Sequence, residues 1–377
     1  NMTDGLYNRC LEADVRSGKV DLQAIDASVE RILRAKYALG LFEDPYRFLD
    51  NKRERQVVRS QSMIDLARKA AVSSMVLLKN DNATLPLSKQ TKRIALIGPL
   101  ANNRSEVMGS WKARGEDADV VTVLDGIKNK LGSNVSLQYV QGCDFLAPSK
   151  DEFSSAFEAA KQSDVIIAVV GEKALMSGES RSRDILRLPG QQEALLDTLR
   201  KAGKPLVVVI MSGRPLCLEK VEKQADALVE AWFPGTQCGN AVADILFGDA
   251  VPSGKLTASF PLTEGQIPNY YNYKRSGRPG DMPYSSTVRH IDVPNKNLYP
   301  FGYGLSYTSF SYGEMQCPQQ FNPDGSLQVS VDVTNTGSYD GEEIVQLYVA
   351  DKVASMVRPV KELKGFEKVF IPKGQTK

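Results

Sequence analysis

A loop that follows the apolar run at residues 164–171 concentrates side chains suited to acid/base chemistry. Small residues around Glu179, namely Ser177, Gly178 and Ser180, allow the backbone to present that carboxylate into a cleft. A carboxylate at the carboxyl end of a sheet strand is well placed for general acid/base work. The charged residues of this loop, residues 171–192, are Glu172, Lys173, Glu179, Arg181, Arg183, Asp184 and Arg187. The same composition is also typical of a solvated loop whose charges pair with one another, and the loop alone leaves that alternative open.

The sequence gives weaker evidence for nucleotide binding, a cysteine nucleophile or a metal site. The segment 94–104 resembles the first turn of a nucleotide-binding fold but lacks the G-x-G-x-x-G pattern, so it does not predict dinucleotide binding. Cys143, Cys217 and Cys238 have no His or Lys partner in an evident motif, and we expect them to be small buried residues. His290 is the only histidine, which argues against a metal site. We therefore expect no cofactor and no metal.

Composition and length exclude several protein classes. The chain has 377 residues, with 47 basic and 45 acidic side chains, so it lacks the charge excess of a nucleic-acid-binding protein. No stretch approaches the roughly 18 consecutive apolar residues of a membrane span. Five cysteines are too few and too scattered for a disulfide framework. The length predicts two or three globular domains.

The middle of the chain alternates between helical and strand patterns. Apolar runs at 93–98, 135–140, 164–171, 205–213 and 227–233 predict strands, and the segments between them carry amphipathic helices. Residues 62–80 are predicted as one long helix with Leu66, Ala70, Val76 and Leu77 available for burial. Strands that are apolar throughout indicate a mostly parallel sheet covered on both faces. The loops after Gly98, Gly171 and Gly213 are then the places where a ligand would bind.

The two ends of the chain have different patterns. Residues 21–38 predict a helix that Asp21 caps and Gly40 ends. Residues 249–312 are rich in Pro, Gly, Tyr and Asn and predict a long ordered connector. From about residue 325 the period changes to two, with Leu327, Val329, Val331 and Val333 on one side, which predicts the strands of a β-sandwich.

Several motifs resemble those of family three glycoside hydrolases, of the β-glucosidase and β-xylosidase type. They are RILRAKYALGLFEDPY (31–46), AVADILFGD (241–249), PSGKLTASFP (252–261), LYPFGYGLSYTSFSY (298–312) and PVKELKGFEKVFI (359–371). The resemblance implies terminal helices of a (β/α)₈ barrel and a linker over 1–60, and a parallel-sheet α/β sandwich domain over 61–265. It further implies a connector over 266–312 and a partial fibronectin type III-like β-sandwich over 313–377. The rest of the barrel is expected to precede this chain in a longer protein.

The resemblance also implies roles for individual residues. Glu179 matches the general acid/base, because ESRSR is followed by Leu188-Pro189-Gly190-Gln191. Glu172 is the second candidate and Asp184 the third. The nucleophilic aspartate of the family is not in this chain, because Asp precedes neither of its two tryptophans. The implied reaction is a retaining, exo-acting hydrolysis of terminal β-linked sugars, and the resemblance favours a β-glucosidase.

Further expectations concern the surroundings of the site. Trp111 is the candidate platform for a sugar ring, with interface packing an equal alternative. Arg183 is a candidate support for the loop, and Tyr271, Asn272 and Tyr273 are candidates for the rim. The partners would be an oligosaccharide or glycoside substrate and the preceding barrel, and the family is often periplasmic or secreted. The isolated chain is expected to be inactive. A non-catalytic sugar-binding or structural α/β module remains the alternative function.

Overall fold

The structure of the chain is a computed structural model that describes residues 3–146, 150–279, 290–320 and 325–377. Residues 280–289 of the predicted connector and 321–324 of the predicted β-sandwich segment lie outside the described residues. The chain divides into two compact units, Asn1–Met63 and Ile64–Lys377. Each unit is described by itself.

The first unit is helical. It contains α1 (Leu6–Arg16), α2 (Leu22–Ala38) and α3 (Asn51–Val57). The carboxylate of Asp21 accepts a hydrogen bond from the Gln23 amide at 2.9 Å, so the predicted cap and the predicted helix are both confirmed. None of the described residues of this unit is buried, and the apolar side chains Ile32, Leu33 and Tyr37 of α2 are exposed.

The second unit is built around a six-stranded sheet with helices between its strands. Its elements are α4 (Gln61–Ser74, which begins at the end of the first unit), β1 (Val76–Asn80), β2 (Arg93–Ile97), α5 (Val123–Leu131), β3 (Ser136–Val140), α6 (Lys150–Gln162), β4 (Val165–Gly171), α7 (Gln192–Arg200), β5 (Leu206–Met211), α8 (Glu219–Gln224), β6 (Ala227–Glu230) and α9 (Cys238–Leu246). The strand order is β1-β6-β5-β4-β2-β3; β2 to β6 are parallel, and β1 is antiparallel to β6. The predicted parallel-sheet α/β domain is confirmed.

The prediction of one helix over residues 62–80 was wrong for residues 75–80. Helix α4 ends at Ser74, and Val76 and Leu77 belong to the edge strand β1, where Leu77 pairs with Val229. Both side chains are fully buried, because the strand places them against the two faces of the sheet. Within α4, Leu66 is 60% exposed. The apolar run continued the helical pattern without a Gly or Pro to mark the boundary.

The sheet is covered on both faces, which explains why its strands are apolar throughout. Along β5, Val207, Val209 and Met211 pack on the side of α5 and α9. The alternate residues of the same strand, Val208 and Ile210 among them, pack with α6, α7 and α8 on the other side. Every side chain of the strand is therefore buried, as a two-sided parallel sheet requires.

The C-terminal part forms two small antiparallel sheets. The strands are β7 (Phe310–Tyr312), β8 (Val333–Asn335), β9 (Gly341–Val349) and β10 (Glu362–Ile371). β7 pairs with β8, and β9 pairs with β10. This arrangement agrees with the predicted partial fibronectin type III-like sandwich. Of the predicted alternating residues 327–333, only Val333 lies in a strand of the described residues.

Aromatic side chains fix the connector in place, as the sequence predicted. The hydroxyl of Tyr303 donates to the carbonyl of Leu78 at 3.1 Å, and that of Tyr307 donates to the carbonyl of Ile245 at 2.7 Å. Tyr271 stacks on Phe301 with ring centroids 4.1 Å apart. The end of the connector around Tyr303 and Tyr307 is therefore packed onto the sheet domain.

Candidate active site

The loops that follow β2, β4, β5 and β6 meet at one edge of the sheet, because these strands are parallel. Glu172 comes directly after β4, Ser212 directly after β5, and Glu230 ends β6. All three side chains are buried at this edge. The loop that carries the predicted acid/base begins here, after β4, and ends where α7 begins.

The Glu172 side chain is fully buried and fully engaged. Its Oε1 lies 2.5 Å from Nη1 of Arg183, and Nε of Arg214 faces the same oxygen at 3.2 Å as an ion pair rather than a hydrogen bond. The amide of Gly213 donates to Oε2 at 3.3 Å. A carboxylate held in this way is a buried structural anion that a substrate does not reach.

Glu179 lies farther along the loop, and its side chain is exposed. Within the part of the chain that the structure describes, no side chain or amide hydrogen-bonds or pairs with its carboxylate. The residue after it, Ser180, has φ 57°, a left-handed conformation that turns the chain sharply at this point. Glu179 therefore lies on a tight turn of small residues, and its presentation into a cleft stays a prediction.

Arg214 holds the backbone on both sides of Glu179. Its Nη2 donates to the carbonyl of Met176 and, at 2.8 Å, to the carbonyl of Arg181. Arg183 donates through Nη2 to the carbonyl of Arg187 at 3.3 Å. Sequence reasoning missed Arg214, although it stands in the loop directly after an apolar strand, where a charged residue is informative.

Trp111 lies beside the Glu179 loop. A Cβ placed on Gly178 would lie 2.5 Å from Oγ of Ser110 and 3.5 Å from Nε1 of Trp111. The Trp111 ring is 74% exposed, so it is free to contact a ligand. The two loops are also joined through Glu106, whose Oε2 accepts a hydrogen bond from the Ala174 amide at 2.7 Å.

A second buried acid lies at the same edge. Oε1 of Glu230 accepts from the Trp232 amide at 3.0 Å and lies 3.3 Å from the Ser212 hydroxyl, whereas Oε2 has no partner among the described residues. Burial raises the pKa of this carboxyl well above its ordinary value of 4.5, and the nearby Glu172 carboxylate raises it further. Glu230 is a charged residue inside an apolar run, and that was the signal for it in the sequence.

The remaining candidates lie elsewhere or have local partners. Asp184 is exposed and accepts a hydrogen bond from the Ile185 amide at 2.9 Å. The hydroxyl of Tyr271 accepts from the Leu363 amide at 3.2 Å, which joins the connector to β10. Tyr271 and Tyr273 line a cavity of about 540 Å³ whose described lining includes neither Glu179 nor Trp111. The expected place of Asn272 at the rim of the site stays a prediction.

The cysteines and the histidine behave as structural or surface residues. Cys143, Cys217 and Cys238 are buried, as predicted, and burial raises the pKa of the Cys143 and Cys217 thiols to about 12. Such thiols do not ionise near neutral pH and are poor nucleophiles. His290 is exposed. Among the described residues, no group of His, Cys, Asp and Glu side chains could hold a metal ion.

The sequence matches two family models in the same order as the structural elements. Residues 75–307 match the glycosyl hydrolase family 3 C-terminal domain, and residues 343–377 match a fibronectin type III-like domain. The chain belongs to glycosyl hydrolase family 3. The resemblance inferred from the sequence motifs is confirmed.

Named relatives in this family are glycosidases. The chain is 43% identical to a periplasmic β-glucosidase of Salmonella typhimurium over 403 aligned residues, which cover 100% of this chain and 52% of the relative. It is 39% identical to a β-xylosidase of Formosa agariphila, covering 94% of this chain and 49% of that protein.

A solved structure of the family has the same fold. The crystal structure of a mutant β-glucosidase from Listeria innocua in complex with laminaribiose superposes with a TM-score of 0.90 at 38% identity, covering 99% of this chain and 51% of that one. The chain spans about half the length of the relatives it matches. In the described residues no helix is both long and apolar enough to cross a membrane.

Proposed function

We propose that this chain is the acid/base-bearing portion of a retaining, exo-acting β-glycosidase and that Glu179 is its general acid/base. The observation that carries the proposal is the contrast between two carboxylates of one loop. Glu172 is buried and held by two arginines, whereas Glu179 is exposed on a tight turn beside Trp111. Of these two carboxylates, Glu179 is the one that is free to transfer a proton to a bound substrate.

The proposed mechanism has two steps and needs a second carboxylate. A nucleophilic aspartate on a barrel outside these residues attacks the anomeric carbon while Glu179 donates its proton to the leaving glycosidic oxygen. The Glu179 carboxylate then removes a proton from water, which displaces the sugar from the nucleophile. In retaining enzymes the two carboxyl groups lie about 5–5.5 Å apart, so the barrel must face the Glu179 loop.

The proposed substrate is the terminal β-linked sugar of an oligosaccharide or glycoside. The exposed Trp111 ring offers an apolar surface on which a pyranose face can stack. The named relatives are β-glucosidases and a β-xylosidase, which supports a glucoside or a xyloside as substrate. The periplasmic relative supports a periplasmic or secreted location.

The proposal is tested in the full-length protein with two substrates. In the Glu179→Ala variant we expect hydrolysis of an alkyl β-glucoside, whose leaving group needs protonation, to fall by about 10²–10⁴-fold. A dinitrophenyl β-glucoside, which needs no acid, should form the glycosyl-enzyme normally, and azide should restore its turnover as the β-glycosyl azide.

A matched variant identifies the residue. Asp184→Ala removes another exposed carboxylate of the same loop. We expect this variant to hydrolyse both substrates, and we expect azide not to increase its turnover. If Asp184→Ala showed the azide response and Glu179→Ala did not, the acid/base role would pass to Asp184. We also expect the isolated chain to hydrolyse neither substrate. Robust hydrolysis by the isolated chain would contradict the need for a barrel nucleophile.

A further inference from the structure

The position of the Glu179 side chain depends on its backbone. Its carboxylate has no partner among the described residues, so nothing else holds it. The loop that carries it contains Gly178 and Ser180, both at positive φ, and has little regular structure. A proton donor must nevertheless lie within hydrogen-bond distance of the leaving oxygen. Some other group must therefore fix this turn.

Arg214 provides the fixed point. Its side chain is only 18% exposed and comes from the loop after β5, a different strand from the one that precedes Glu179. It donates to the carbonyls of Met176 and Arg181, which lie on either side of Glu179. The Ser212 hydroxyl donates to the backbone carbonyl of Arg214 at 2.9 Å, which anchors that backbone in turn.

Glu172 fixes the two arginines. One carboxylate oxygen faces both Arg183 and Arg214, and the other accepts from the Gly213 amide. A guanidinium is planar, so an anion on one edge determines where its other donors point. Arg183 carries the same restraint to the carbonyl of Arg187, at the far end of the loop.

We propose that Glu172 and Arg214 are positioning residues that together hold the Glu179 turn in the place where proton transfer occurs. This inference rests on the proposed acid/base role of Glu179. In this proposal neither side chain touches the substrate: Glu172 is buried, Nη2 of Arg214 donates to the loop carbonyls, and Nε of Arg214 faces Glu172. A displacement of about 1 Å in such a group costs on the order of 10²-fold in rate.

The test compares two leaving groups in the full-length protein. In Arg214→Lys and in Glu172→Gln we expect kcat/KM for the alkyl β-glucoside to fall about 10–100-fold relative to the dinitrophenyl β-glucoside. A variant that merely reduced the folded fraction would lower both rates equally and leave their ratio unchanged. The matched control is Arg200→Ala, which breaks a 2.8 Å ion pair with Asp226 at the opposite edge of the sheet. In Arg200→Ala the ratio of kcat/KM for the two glucosides should equal that of the wild type.

A second measurement does not depend on activity. Trypsin cleaves after arginine, and Arg181 and Arg183 lie within the held turn. We expect cleavage after Arg181 to be several-fold faster in Arg214→Lys than in the wild type and unchanged in Arg200→Ala, because proteolysis follows the population of the open loop. Equal cleavage in all three proteins would overturn the inference.

The outcomes separate this inference from the proposed function. If Glu179→Ala leaves the ratio of kcat/KM for the two substrates unchanged, the acid/base assignment itself is wrong. If Glu179→Ala lowers the ratio but Arg214→Lys and Glu172→Gln do not, Glu179 is the acid and the buried arginines and Glu172 do not position it.

Discussion

Asp244 is the anion through which three helices of the sheet domain are joined. It lies on α9, and its two carboxylate oxygens accept from Nε and Nη2 of Arg68 on α4, each at 2.6 Å. The same carboxylate pairs with Lys130 on α5. The side chains of Asp244 and Lys130 are only 10% and 9% exposed. We predict that Asp244→Ala strongly destabilises the domain.

The magnitude follows from what the substitution leaves behind. Lys130 is left nearly buried with Asp249 as its remaining anion, and Arg68 loses a two-bond partner but is 39% exposed and can be hydrated. Removing one partner of a buried pair costs about 3–5 kcal/mol, and the exposure of Arg68 places the expected loss near the lower end, about 3 kcal/mol. Asp244→Asn keeps an acceptor but removes the charge, so we expect a loss of about 2 kcal/mol.

The assay is urea unfolding followed by tryptophan fluorescence. Trp232 packs against Phe260 in the sheet domain and should report its unfolding. The midpoint should shift while the slope of free energy against urea stays constant. The control is Asp164→Ala, which removes a similarly bonded but exposed partner of Arg93 and should change stability much less. Equal losses for Asp244→Ala and Asp164→Ala would refute the reasoning, because burial would then not set the cost.

Three further predictions concern the site and the C-terminal sheets. Because the pKa of Glu230 is raised in the folded state, the contribution of Glu230 to stability is fully present below the unfolded value near 4.5 and is lost as the pH rises through the folded value. Glu230→Gln should therefore raise the melting temperature relative to the wild type at pH 8 and not at pH 4, and an equal effect at both would contradict the burial of a neutral carboxyl. Gly178→Ala would place a Cβ 2.5 Å from Oγ of Ser110 at φ 119°, so we expect slower hydrolysis of the alkyl β-glucoside, whereas Gly203→Ala, with φ 66° and open space around it, should leave hydrolysis unchanged. The side-chain amide of Asn335 donates to the carbonyls of Tyr339 and Ile371 and accepts from the Thr308 hydroxyl. Asn335→Ala should therefore lower the free energy of unfolding in denaturant by about 3 kcal/mol. A loss below about 1 kcal/mol would show that water replaces these bonds.

The sequence predicted the sheet domain well because its strands are unambiguous. β4 and β5 are runs of apolar, mostly β-branched residues whose length fits a strand and not a helix. The sequence did not predict β1, because Val76 and Leu77 continue the helical pattern of α4. They form a strand because they pair with β6, in which Val229 lies opposite Leu77. The two paired residues are about 150 positions apart in the chain. Long-range pairing of this kind leaves no local signal.

The candidate site was predicted only in part for a similar reason. The loop rule indicated the edge of the sheet where the buried carboxylates lie, and it included Glu172, Glu179 and Arg183. It could not show which acid is buried, because burial depends on Arg214, which the fold brings to this loop from the next strand. Residue types and spacing give the chemistry that is available in a loop. The tertiary contacts decide which of these groups are buried and which are exposed.

These contacts also explain why one loop can carry one buried and one exposed glutamate. An exposed carboxylate next to several arginines would ordinarily be drawn into an ion pair. Here Glu172 already occupies Arg183 and Arg214, and the remaining Nη2 donors of these two arginines are taken by backbone carbonyls. The buried acid thus occupies two cations that would otherwise be available to other carboxylates of this loop. Replacing Glu172 by Gln would release those cations, so the loss of acid catalysis should exceed what a displaced loop alone produces.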